Sequence, residues 1–415
     1  MAHALSGLKV VEFAMYAAGP VIGKYFANHG AQVVHVEAPN RPDGFRLQYP
    51  PFKDNRRDLN AGGLFSLCND SKYGITLDLK HPDSEPVKRR LVQWADIIIE
   101  NFTPGTIQRL GLDYRQIQPV NPRLIIISTS NMGQVGPMAH HPGFGSQLTS
   151  YAGLTHLTGY PDDPPALLYG PYIDYIAVGL GLVAVLAALD YRRRHQRGQY
   201  IDLSQYAAGL HFMAAPLLNY QVNGRIASRQ GNWHPSAVPH GVYPTNEVDR
   251  WVVIGIYHDH QWMHLKDIVG YPPESGELET LIERRQYQGD IDRWLADWSR
   301  QNCAEHIVEV LTSREVPAAI VRKAHEVYDD PQLNQRELWQ KRHHPVLGDF
   351  HYEGPAWILS GTPWEITTPS PLLGEHNVSF YRDCLGYTEE EIEELARTGV
   401  IGEVRLENGV KSHAD

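Results

Sequence analysis

Three runs follow one another closely: Leu8-Lys9-Val10-Val11-Glu12-Phe13, Gly19-Pro20-Val21-Ile22-Gly23-Lys24-Tyr25-Phe26-Ala27 and Ala31-Gln32-Val33-Val34-His35-Val36-Glu37. The first and third are short and β-branched, which suits strands. The second opens on Gly-Pro and reads as the start of a helix. Strand, helix, strand in this spacing predicts a βαβ unit and a parallel sheet. Further strands are expected at Ile75-Thr76-Leu77-Asp78-Leu79, Ile97-Ile98-Ile99-Glu100-Asn101 and Leu124-Ile125-Ile126-Ile127-Ser128. A helix is expected over Pro82–Gln93, with basic residues on one face. Apolar runs without alternation suit strands buried on both faces. The chain therefore reads as α/β, and ligands are expected beyond the carboxyl ends of the strands.

Farther along, helices are expected from Ile176 to about Arg194 and from Ser204 to about Tyr220. Asn223–Val238, with Gly, Asn, His and Pro, reads as a linker between domains, and Trp251–Ile256 as a strand. After Pro331 the aromatic, Pro- and Gly-rich composition suggests a segment that returns to another domain. Thr388-Glu389-Glu390-Glu391 is a capping box that starts a final helix. The expected division is 1–222 for the large domain, 223–330 for a smaller one with its linker, and 331–415 returning to the first.

Composition narrows the function. The 415 residues are 42% apolar and 20% charged, an ordinary globular balance. A net charge of −11 argues against nucleic acid or an anionic membrane as main partner. Cys68, Cys303 and Cys384 give neither a disulfide framework nor a zinc spacing, which fits a reducing cytoplasm. Met1-Ala2-His3-Ala4 does not read as the start of a signal peptide. The apolar run Ile176–Leu189, 14 residues long, is short of the ~20 that span a bilayer and is expected to be a buried core helix. No metal site is expected. His258-x-His260-x-x-x-His264 has a zinc-like spacing, but no Glu completes a His-Glu-x-x-His pattern.

Gly170-Pro171-Tyr172-Ile173-Asp174 places a carboxylate at the head of that apolar helix. Asp is a preferred N-cap, so capping alone would account for it. A helix start also favours the ionised form, and an ionised, partly desolvated carboxylate can attack an activated acyl group. Glu100-Asn101-Phe102-Thr103-Pro104-Gly105, with Arg109 after it, sits where a strand gives way to a helix and could hold a nucleotide or a phosphate. Between the first strand and its helix, Ala14–Pro20 lacks the G-x-G-x-x-G fingerprint, which speaks against a nicotinamide or flavin oxidoreductase.

Taken together and in order, several segments resemble one family, the class III CoA-transferases. They are Leu5–Phe13 with Ala18-Gly19-Pro20; Gly30–Val34 with Val36-Glu37; Asn69-x-x-Lys72 with Leu77-Asp78-Leu79-Lys80; Ala95-Asp96 with Glu100–Gly105; Asn121–Ile125; Gly170-Pro171-x-x-Asp174; Arg197–Asp202; Gly231-Asn232-x-His234-Pro235; Val316-Pro317-Ala318; and Pro371-x-Leu373-Gly374-Glu375-His376. The resemblance implies a Rossmann-like large domain, a smaller α+β domain and an interlocked dimer, as a homodimer or with a related subunit. It implies that Asp174 is the catalytic aspartate. CoA contacts fall on Tyr16, Ala17, Leu77, Asn101, Phe102, Thr106 and Arg109. The arginine that family members often carry after the second strand is Ala38 here, and Arg41 or Arg46 could substitute. The stretch Val238–Tyr243, with His240 and Gly241, stands where oxalate-using members carry a glycine-rich loop, which argues against oxalate and for a different, bulkier acid. The helix start after Asp174 and the His240-Gly241 loop are the expected oxyanion donors. Racemases of the superfamily use a histidine where this chain has Phe144, so α-epimerisation is disfavoured. No permanent cofactor is expected; CoA and acyl-CoA are substrates, with a small carboxylic acid as partner.

Overall fold

The computed structural model describes residues 3–271, 276 and 278–402. Six parallel strands form the main sheet: β1 Lys9–Phe13, β2 Gln32–Glu37, β3 Tyr73–Thr76, β4 Ile97–Glu100, β5 Ile125–Ser130 and β6 Tyr200–Ser204. Their order is β3-β2-β1-β4-β5-β6. The chain thus runs outward from β1 in one direction, then restarts at β4 on the other side of β1. Helix α1, Ala18–Asn28, makes the first crossover and α2, Glu85–Trp94, precedes β4.

Alternation along the strands builds two cores. Val10, Val33, Ile97, Ile99, Ile125 and Ile127 face one side, with Ile22 and Phe26 of α1. Val11, Val34, Ile98 and Ile126 face the other. Both faces are covered, as parallel sheets require. The strand expected over Ile75–Leu79 stops at Thr76. There the C-terminal segment takes over. Asn377 Oδ1 accepts from Thr76 N–H at 2.8 Å and Asp78 N–H donates to Val400 O at 2.9 Å. Phe380 and Tyr381 add their rings to the second core.

A helix of 24 residues, Tyr172–His195, contacts β5 and β6 as well as α1. Ile173, Ala177, Val178, Gly181, Val185 and Ala188 are buried at helical spacing, one stripe of the surface. The opposite side corrects the expectation of a buried core helix: Val183 is 65% and Leu186 48% exposed. By length and hydropathy this helix could cross a membrane, although a core-helix origin passes the same test.

The residues divide into two compact units. One holds the described residues of Met1–Leu154, Leu168–Leu218 and Gln332–Asp415; the other holds those of Thr155–Leu167 and Asn219–Pro331. Within the second, β7 His240–Pro244, β8 Trp251–Gly255 and β9 Ala318–Ile320 form an antiparallel sheet. Val252, Ile254, Trp262, Ile291 and Leu295 fill its core. The helix expected over Ser204–Tyr220 is instead broken: Gln205–Gly209 is α, Leu210–Met213 is 3-10 and Ala214–Asn223 is α again.

Candidate active site

Where the strand order reverses, between β1 and β4, the two following turns are tied together. Asn101 Oδ1 accepts from Met15 N–H at 2.9 Å, and Asn101 Nδ2 donates to Met15 O at 2.7 Å. This brings Tyr16 and Ala17, at the head of α1, beside Asn101 and Phe102, after β4. The clamp takes one N–H and one acceptor site of the Asn101 amide and fixes the shape of the turn, leaving a second N–H and a second lone pair. Thr106 and Arg109 open and close the next short helix, Thr106–Arg109. The Arg109 guanidinium is exposed and held at 2.8 Å by Thr106 Oγ1, so its remaining donors face outward. Such a crevice, at the carboxyl ends of parallel strands, is the usual ligand position in doubly wound sheets.

Leu77 stands apart. It is fully buried among the core residues behind the sheet and follows β3, two strands from β1. Its N–H also donates to Glu37 O at 2.8 Å, so neither its side chain nor that amide is open to a ligand. Of the two arginines considered for phosphate, Arg46 is excluded. Its Nε and Nη2 form a fork on Glu37 at 2.9 and 2.8 Å, fully buried. Arg41 is exposed.

Asp174 is the third residue of the Tyr172–His195 helix, not its cap; Pro171 occupies the cap. The residue is half-buried, and among the described residues no hydrogen bond or ion pair holds its side chain. Desolvation pushes its pKa up to about 7. The helix start was expected to favour the ionised form; burial outweighs it here. The amides at and before Asp174 are already committed. Tyr172 N–H turns back to Gly170 O and Asp174 N–H to Pro171 O, each at 3.0 Å. Neither is free for a ligand.

Gly145 packs directly against this aspartate. A Cβ at position 145 would lie 2.6 Å from Pro171 Cβ and 3.0 Å from Asp174 Oδ2. Only glycine allows the helix Gly145–Tyr151 to start so close. Its preceding residue, Phe144, is 56% exposed, and its ring lies 6.3 Å from that of Tyr16, edge to face. The line Tyr16, Phe144, Gly145, Asp174 therefore joins the β1 turn to the carboxyl. Gly145 carries no chemistry of its own, and nothing in its sequence context marks it as a neighbour of Asp174.

Glu100, at the end of β4, was not among the candidates. It is buried, and desolvation lifts its pKa to about 7. Oε2 accepts from Phe102 N–H at 2.8 Å and Oε1 has no partner.

In the smaller unit, His240 and Gly241 belong to β7 and not to a loop; they pair with Gly255 and Ile254 of β8. They line a cavity of 320 Å³ together with Trp233, Tyr243 and Asp292. His240 Nδ1 lies 2.6 Å from Asn232 O. Asp292 accepts from Tyr243 Oη at 2.7 Å and from Trp233 Nε1 at 3.3 Å, and desolvation raises its pKa. Among the described residues no group of three or more His, Cys, Asp or Glu is arranged to hold a metal ion.

Comparison with known proteins decides the family. The model of CoA-transferase family III matches residues 5–377. The chain belongs to CoA-transferase family III. Over 399 residues it is 32% identical to a succinyl-CoA–D-citramalate CoA-transferase of Chloroflexus aurantiacus, covering 96% of this chain and 98% of that one. A succinate–glutarate CoA-transferase of Agrobacterium fabrum is 31% identical over 386 residues, 90% of this chain and 93% of its own. Among solved structures, a CAIB/BAIF family protein from Brucella suis superimposes with a TM-score of 0.85 at 28% identity, over 92% of this chain and all of that one. This class III CoA-transferase thus shares its α/β architecture and parallel central sheet with a CAIB/BAIF protein.

Proposed function

We propose that this enzyme moves CoA between a short dicarboxylyl thioester, succinyl-CoA first among them, and a second small carboxylic acid, by covalent chemistry at Asp174. The observation that carries the chemistry is Asp174 itself: a half-buried residue whose carboxyl has no cation beside it and is raised to about 7 by desolvation. An unpartnered acid tuned near neutrality is poised for reaction, whereas a capping aspartate would be hydrogen-bonded. The choice of succinate follows two relatives, which both name it as a substrate.

In this reading a carboxylate oxygen of Asp174 attacks the thioester carbonyl. The C–S bond breaks, leaving an acyl-aspartyl anhydride and CoA thiolate. The thiolate then attacks the aspartyl carbonyl, giving an aspartyl-CoA thioester and the donor acid. The acceptor carboxylate attacks that thioester, and the returning thiolate takes the new acyl group from the second anhydride. Thioester and anhydride are both activated, so no ATP is consumed. Each addition develops an oxyanion that needs fixed donors.

CoA is placed over the β1 and β4 turns of a Rossmann-like sheet, near Tyr16, Ala17, Asn101, Phe102 and Thr106. Arg109 and Arg41 are offered for its phosphates, as arginine forks suit them. His240 is offered for recognition of the acid. Phe144, where a racemase needs a base, has no exchangeable proton, which favours transfer over epimerisation. We place the enzyme in the cytoplasm, acting without a resident cofactor, as a dimer whose contact includes exposed Val183 and Leu186. The test is product analysis by mass spectrometry with a panel of acyl-CoA donors and free acids. Transfer from succinyl-CoA to another short dicarboxylate supports the reading. Turnover only with aromatic or steroid acids would overturn the substrate class.

A further inference from the structure

Beneath the β1 turn runs a line of fully buried charges that the proposed chemistry does not use. Lys72 Nζ donates to both oxygens of Glu12 at 3.0 Å each, to Asn69 Oδ1 at 2.8 Å and to Pro20 O at 2.7 Å. Glu12 Oε1 lies 2.6 Å from His35 Nδ1. The other ring nitrogen of His35 is 3.7 Å from Asp43 Oδ2 and 3.9 Å from Glu37 Oε2, and it makes no hydrogen bond. Asp43 closes the line: both its oxygens accept from Tyr16 N–H, at 3.1 Å each, and Oδ1 also accepts from Phe45 N–H at 2.8 Å. Every side chain from Lys72 to Asp43 is buried.

Such a line is costly to desolvate, and apolar residues of the same volume would usually serve stability as well. It therefore calls for another account. Two cations, Lys72 and Arg46, face three carboxylates, Glu12, Glu37 and Asp43. One further proton within the group closes its charge to zero. The geometry is fixed tightly: a Cβ on Gly23 would fall 1.8 Å from Glu12 Oε2. What the line ends on is informative. Tyr16 has φ +64°, in the left-handed region that L side chains avoid. Its N–H is the one Asp43 accepts. Strained backbone of this kind persists only where surroundings dictate it, and it clusters at ligand clamps.

We propose that Asp43 is a positioning residue for CoA. Anchored by Glu37 Oε1, which accepts from its backbone N–H at 2.8 Å and is itself held by Arg46, and flanked by His35, it holds Tyr16 left-handed and so fixes the β1 turn against Asn101, where CoA is to be bound. This rests on the transferase reading above.

The test is a double-substitution cycle on the full-length enzyme, read by acyl-CoA kinetics and by calorimetric titration with CoA. Asp43→Ala is expected to raise the KM for the thioester and the Kd for CoA by about tenfold, with kcat within about threefold. A merely destabilised enzyme would instead lose kcat with KM unchanged. Tyr16→Gly removes the left-handed strain. In that background Asp43→Ala should add less than about threefold, because both changes act through one backbone position. If Asp43→Ala does not fold, Asp43→Val, closer in volume and likewise without an acceptor for Tyr16 N–H, carries the same comparison. A folded Asp43 variant with unchanged KM and Kd overturns the proposal, and so does full additivity with Tyr16→Gly. Should the unaltered enzyme itself fail to bind CoA, the transferase reading falls, and that outcome is distinct.

Discussion

Two groups of ionisable side chains lie in the larger unit, and they are built in opposite ways. From Lys72 to Asp43 every charge is buried and nearly every one has a partner within hydrogen-bond reach. Asp174 has neither cation nor donor on its side chain, although the residue is only half-buried. Partnered charges hold a shape, because moving any one strands the rest. A lone carboxyl held out of water keeps its reactivity, since no bond must be broken to use it. Glu100 sharpens the contrast. Its pKa is also lifted to about 7, but it is closed in and half satisfied by Phe102 N–H, so no substrate reaches it.

Substitution at the lone carboxyl should separate chemistry from fold. Asp174→Asn is expected to reduce turnover by more than about a hundredfold while CoA still binds, because an amide cannot form the anhydride. Steady-state assays with calorimetric titration check both halves. Substitution in the partnered group should do the reverse. Lys72→Met leaves Glu12 and its neighbours uncompensated and is expected to cost about 3–5 kcal/mol of stability, measured by denaturant unfolding. If Lys72→Met were tolerated and Asp174→Asn unfolded the protein, the contrast between the two groups would be reversed.

The strands of the sheet were legible to different degrees, for physical reasons. β1, β2, β4 and β5 each carry two or three consecutive Val or Ile residues, which is what burial on both faces selects. β6, Tyr200-Ile201-Asp202-Leu203-Ser204, alternates and lies at the sheet edge, so it carried no such signal. β7 contains Gly241 and Pro244, residues that locally favour a turn, and tertiary pairing with β8 overrides them. Asp174 was visible through its Gly-Pro turn, but its register was not: the helix begins two residues earlier. The ionic line was invisible, because Glu12, His35, Asp43 and Lys72 are up to 60 residues apart and each looks like an ordinary polar position. Only the sheet brings them together. Gly145 was equally silent, since what it leaves out is a side chain.

The pH dependence sharpens the comparison further. Asp174 must be ionised to attack, so kcat/KM should fall about tenfold per unit as pH drops below its pKa of about 7. A pH–rate profile flat from 5 to 8 would contradict this.

A smaller effect concerns stability. The folded pKa of Asp174 is raised from 3.8 to about 7, so the folded state resists an ionisation that the unfolded chain accepts. The penalty is absent below about 4, grows as pH rises towards 7 and stays constant above it. Asp174→Asn removes it. The variant is therefore expected to melt about 1–3 °C higher than the parent at pH 8, with the gain fading towards pH 4, by scanning calorimetry. A gain that grew towards low pH would contradict the desolvation argument.

The central claim is that Asp174 itself carries the acyl group. The most direct measurement incubates the enzyme with an acyl-CoA and hydroxylamine, then sequences its peptides by mass spectrometry. An aspartyl hydroxamate at Asp174, formed only when the thioester is present, is the predicted result. Continued turnover with no modification at Asp174, or a hydroxamate at Glu100 or another carboxyl instead, would contradict the account.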